Sequence, residues 1–162
     1  MITLSEAKAM VGFAQDYLGL NEWVIYCRLV SQKELQKLLY GNQQVYATEI
    51  YGLIIIHDQF KTAELLIWDK LDESPYSHGL AHTIFHELLH IILKPLDSTY
   101  EFVSSLISSN QEMCRWAWEY FEEMIINQLA TSITLSMGLY EDQLASNCSE
   151  EVESEQDPAQ ET

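Results

Sequence analysis

The stretch HTIFHELLH, residues 82 to 90, constrains this chain more than any other. It sets His82, His86 and His90 at intervals of four, and His78 continues the series backward. On a helix, positions four apart stand above one another on one face. Leu88, Leu89, Ile91, Ile92 and Leu93 supply apolar surface to bury. The segment is therefore expected to form a rigid helix over 77–94, which Pro95 ends. His86 and His90 then aim two imidazoles at one point. Such a pair can grip one Zn2+ at about 2.0–2.1 Å per nitrogen. Glu87 is rotated about 100° from His86. From there it does not easily join as a ligand, but it reaches a water on the same metal. This is the H-E-x-x-H pattern, in which the glutamate is a general base. His82 is open to three roles: extra ligand, hydrogen-bonding support or substrate contact. A polar residue lining the cleft is the plainer reading. His78 lies in the first turn and His57 at a strand end, and neither is given a metal role.

Two histidines leave the site incomplete, because a catalytic zinc usually takes three protein ligands and keeps one open position. The downstream helix offers Glu112, Glu119, Glu122 and Glu123. Its stretch WAWEYFEEMIINQLATSITL is otherwise strongly apolar, so the helix is expected to be largely buried. A carboxylate on a buried helix needs a partner. Glu119, Glu123 and Asn127 are four apart and share a face. Spacing alone leaves Glu119 and Glu123 near equals, while Glu112 and Glu122 read as solvated positions.

The rest of the chain reads in blocks. Residues 3–18 form an amphipathic helix with a capping box at Thr3-x-x-Glu6 and a stop at Gly19. A strand lies within 21–30, where Trp23, Ile25, Cys27 and Leu29 alternate with Val24, Tyr26 and Arg28. Ser31-x-x-Glu34 opens a short helix that ends near Gly41. Residues 45–57 and 64–68 are strand-like, rich in β-branched and aromatic side chains. After the motif helix come a small helix at about 99–108 and a long one from Ser109 to Gly138. Strands first and helices afterwards predict an α+β fold, a small three-stranded sheet packed on helices.

With 162 residues the chain has room for one domain, expected over 1–145. Its net charge of −17, from 25 acidic and 8 basic residues, argues against nucleic acid and anionic membrane as partners. Residues 141–162 hold eight acidic side chains and no basic one. Residues 146–162 lack large apolar anchors and are expected to be a disordered acidic tail. Met1-Ile2-Thr3 leads directly into a charged amphipathic segment, so no signal peptide is expected, and no apolar run reaches spanning length. Three distant cysteines, Cys27, Cys114 and Cys148, form no disulfide framework and fit a reducing, cytoplasmic location.

HTIFHELLHIILKPL followed by FEEMIINQLATSI resembles the ImmA/IrrE-like family of small HExxH zinc metallopeptidases, especially its phage-encoded branch. LGLNEWVIYCRLV and YGLIIIHD are similar to that family's first two strands. The resemblance covers roughly residues 10 to 140. It implies a minimal zincin fold and a zinc held by His86, His90 and Glu123, since Glu123-x-x-x-Asn127 matches the segment that supplies the third ligand. It also implies Glu87 as the catalytic base and a protein or peptide substrate, such as a regulatory protein, in the host cytoplasm. Tyr76, Tyr100 or His82 is then the candidate oxyanion donor, and the edge of strand 64–68 the candidate substrate-binding edge. The alternative is a non-catalytic binding protein on the same fold, such as a phage factor acting on a host protein by occupancy. An intact Glu87 favours the enzyme, because a structural site has no need of a base.

Overall fold

The computed structural model describes residues 2–41, 49–106 and 111–139. The segment 45–48 of the second expected strand, the Ser109 helix start and the acidic tail at 146–162 lie outside them. Among the described residues the fold is α+β, with four α-helices and a three-stranded mixed sheet. Helix α1 spans Leu4–Tyr17, and Thr3 and Glu6 close the expected capping box at its start. Strand β1 is Val24–Val30. Helix α2, Gln32–Tyr40, begins at the Ser31 cap and ends at Gly41, whose φ of 64° suits a glycine. Strand β2, Gly52–His57, turns through a 3-10 segment at Asp58–Phe60 into β3, Thr62–Trp68. Helix α3 is Gly79–Leu106 and α4 is Gln111–Ser136. No helix among the described residues is long and apolar enough to cross a membrane.

The sheet order is β1-β3-β2, with β1 parallel and β2 antiparallel to β3. β3 is thus the central strand. Leu65 and Ile67 face the main core with α1, α3 and α4, while Leu66 faces a smaller cluster with Val30 and Leu35 of α2. A strand covered on both faces reads as an unbroken apolar run. This corrects the expectation that 64–68 offers a free edge: both its sides are paired. The edge beside the motif helix belongs to β2.

Two helix expectations are also corrected. Pro95 does not end the motif helix, which continues to Leu106 and absorbs the small helix expected at 99–108. Proline's fixed φ fits a helix, and the loss is mainly one donor to the Ile91 carbonyl. Packing beyond the proline compensates: Tyr100 stacks on Trp118 of α4, with ring centroids 5.0 Å apart and planes 8° from parallel. Nor is α4 largely buried. Only Ile126, Ala130 and Thr134 are buried on it, because α3 is its main neighbour and one helix covers one stripe.

Candidate metal centre

α3 holds the histidine stripe rigidly. Ile84, Phe85 and Leu88 are fully buried in the main core, and Leu89 and Ile91 nearly so. The opposite side of the helix then faces α4, which runs antiparallel to it. His82 meets Thr131, His86 meets Asn127, and His90 meets Glu122. The ring centroids of His86 and His90 are 5.3 Å apart.

Glu123 stands between these two rings. Its Oε2 is 3.3 Å from His86 Nε2, and its Oε1 is 3.4 Å from His90 Nε2. One donor atom from each of His86, His90 and Glu123 falls within 4.8 Å of the others, so the three could hold a metal ion. They are the only such group among the described residues. The far nitrogens are engaged as well. His86 Nδ1 is 3.0 Å from Asn127 Oδ1 and His90 Nδ1 is 3.3 Å from Glu122 Oε1. With each Nδ1–H donating to its oxygen acceptor, each Nε2 keeps its lone pair for the centre. Without a metal, burial opposes charge on His86, but bonding to Glu123 and the charges of Glu87 and Glu123 raise its pKa. The same bond to His86 lowers the pKa of Glu123 against the opposing effect of burial.

Of the four glutamates weighed from sequence, Glu123 is in the cluster. Glu119 is turned outward and accepts a 2.9 Å hydrogen bond from Arg115. Glu122, expected to be solvated, is instead tucked in, with its side chain 14% exposed. It lies one residue from Glu123 and so reaches the far side of His90. Glu112 is exposed, as expected.

Glu87 is buried beside the pair. Burial raises its carboxyl pKa, while His86, His90 and the Ile54 amide pull the other way. Gly52 makes room for it. A Cβ at Gly52 would lie 2.9 Å from Glu87 Cγ, Glu87 Oε1 and Thr83 Cγ2. The signal was legible as a lone glycine in an apolar strand, which marks close approach. A cleft of about 330 Å3 opens here, lined by Leu53, Ile54 and Ile56 of β2, Glu87, His90 and Lys94 of α3, and Glu122 and Glu123 of α4.

The remaining histidines stay out of the cluster. His82 is buried and ties α3 to α4 through Thr131, at 3.2 Å. Its pKa is lowered to about 4, by burial first and then by His78 and His86. The His78 ring lies beside it, tilted by 57°, at 4.8 Å between centroids. His57 is exposed at the end of β2. Of the candidate oxyanion donors, Tyr100 lies ten residues past His90, about 15 Å along the axis, and Tyr76 is exposed on the loop before α3.

Compared with protein-family models, curated proteins and solved structures, the chain matches none.

Proposed function

We propose that this chain is a zinc-dependent metallopeptidase of the ImmA/IrrE-like, minimal zincin type, hydrolysing peptide bonds in a protein substrate. The spacing of the donor atoms carries the reading. One donor atom from each of His86, His90 and Glu123 lies within 4.8 Å of the others, a set that a metal ion could draw together. Each carboxylate oxygen of Glu123 faces one imidazole, Oε2 at 3.3 Å from His86 Nε2 and Oε1 at 3.4 Å from His90 Nε2. A zinc held by His86, His90 and Glu123 would supply a Lewis acid for the scissile carbonyl and would lower the pKa of a water toward ~7.

The residues of the chain supply the rest. Asn127 and Glu122 fix the two imidazoles in the tautomer that presents Nε2. Glu87, next to His86 and held by the Ile54 amide, takes the proton of the attacking water and returns it to the leaving amine. The outer edge of β2 pairs with no other strand among the described residues. It borders the cleft, so an extended peptide added along it passes the catalytic group.

Glu87→Gln tests the proposal. It removes the base while keeping size, and should leave zinc content and fold intact while lowering turnover at least ~10²-fold. Cells expressing wild type should lose the full-length form of some protein that survives with Glu87→Gln. If the two strains behave alike while the folded variant still exerts the wild-type biological effect, the function is binding and not hydrolysis.

A further inference from the structure

On the hydrolytic reading of the site, on which this rests, we propose that Lys94 selects the substrate. It pairs with an acidic side chain about two residues N-terminal to the bond that is cut. Lys94 is exposed and lines the metal cleft together with His90, Glu122 and Glu123. It stands one turn past His90 on the same stripe of α3. Glu122 and Glu123 turn their carboxylates to the two imidazoles. Lys94 is the one lysine or arginine from Leu71 to Cys114, and none follows Arg115. The field of a chain of net charge −17 repels a substrate carboxylate, and Lys94 offsets that field inside the cleft. Attraction at one point against repulsion elsewhere is how charge discriminates between ligands.

The direction of the peptide follows from β2. Tyr51 accepts a 3.0 Å hydrogen bond from the Trp68 amide, so Tyr51, Leu53 and Ile55 address β3 through their main chain. Ile54 points the other way, its amide bonded to Glu87, and Ile56 repeats that orientation at the outer edge. β2 also runs in the same direction as α3. Gly52 lies against Thr83 and Glu87, and Ile56 is in the cleft with His90 and Lys94. Antiparallel pairing is the more stable kind, so an added peptide runs from the Lys94 end toward Glu87. Residues that reach Lys94 therefore precede the scissile bond. Spacing fixes how far. From His90 to Lys94 the helix rises about 6.0 Å, and two residues of a strand span about 6.6–6.8 Å. Leu53, Ile54 and Ile56 line the same stretch, so the residues between meet aliphatic surface.

The test uses short peptides of one Leu/Ala/Ser frame, capped at both ends so that the only carboxylate is a side chain. Glu, Gln or Lys is placed at each position in turn. Binding to Glu87→Gln is read by fluorescence anisotropy, and the bonds cut by wild type are read by mass spectrometry. Glu at the favoured position should bind about fivefold more tightly than Gln, the upper range for an exposed ion pair. Lys there should bind more weakly than Gln, and the preference should shrink as salt is added. Wild type should cut about two residues after that Glu. Lys94→Gln should abolish the preference, and Lys94→Glu should reverse it in favour of Lys. Lys33→Gln, the same loss of charge on α2, should leave it unchanged. Peptides that bind with this preference but are never cut would refute hydrolysis and uphold Lys94 as the carboxylate's partner. Absence of binding up to about 1 mM overturns the proposal. So does equal binding of the Glu and Gln peptides, a preference that survives Lys94→Gln, or cuts that leave the Glu on the C-terminal side.

Discussion

Two helices of similar length, 28 and 26 residues, meet at the metal cluster and are buried very differently. The motif half of α3 is enclosed by the sheet, α1 and α4, so that from Ala81 to Ile91 only His86 and His90 are not classed as buried. α4 touches the body along Ile126, Ala130 and Thr134 and leaves most of its apolar surface outside. The two candidate ligands on α3 are therefore held by a packed core. The third, from α4, is 53% exposed and is held mainly by the histidines it faces. Preorganisation of the site lies on the α3 side, and α4 closes it.

Substitutions of similar side chains should break this symmetry most visibly. Phe85→Ala on α3 removes a fully buried ring and should cost about 3–5 kcal/mol in urea unfolding. Trp116→Ala on α4 removes a larger ring that is 68% exposed, and should cost less than about 1 kcal/mol. Equal losses would mean that α4 is enclosed in the way α3 is.

His82 sharpens the contrast through pH. Its folded-state pKa of about 4 lies below the ordinary 6.5, so the unfolded chain binds the proton more readily. Its stabilisation is full above pH 6.5 and is lost as pH falls toward 4, by up to about 3 kcal/mol. Urea midpoints of chelator-treated protein should drop across this window. His82→Gln, which keeps a polar group near Thr131, should flatten the drop. A wild-type profile already flat across the window would show that His82 is accessible to solvent.

Gly52→Ala should have a smaller effect on stability and a specific one on the site. The added methyl group meets Glu87 and Thr83 at 2.9 Å, so side chains must shift, at about 1–3 kcal/mol. Glu87 should be displaced and turnover lost while zinc stays, because the atoms nearest the new methyl group belong to Glu87 and Thr83. Loss of zinc together with turnover would place Gly52 closer to the ligands than to the base.

Local signals in the sequence carried much of this. The Thr3 and Ser31 caps, Gly19 and Gly41 set helix ends through contacts a few residues apart, and they fell where local chemistry puts them. The pairing of His86 with His90 followed from helical spacing. What depended on neighbours distant in sequence was not legible. Pro95 forbids one hydrogen bond but not a helix that packing sustains on both sides. Spacing set Glu119 beside Glu123 and left Glu122 to solvent, and the direction from which α3 approaches reverses the two. The free edge was assigned to β3, since an apolar run does not reveal that β2 returns to pair beside it. Apolar composition could not say that α4 would be covered on one stripe alone.

Zinc content tests the central claim most directly. The chain should be purified without added metal beside His86→Ala, Glu123→Ala and Glu119→Ala. Wild type and Glu119→Ala should each hold about one zinc, while His86→Ala and Glu123→Ala should lose most of it. Full occupancy in Glu123→Ala, or loss of the metal in Glu119→Ala, would contradict the assignment of His86, His90 and Glu123 as the ligand set.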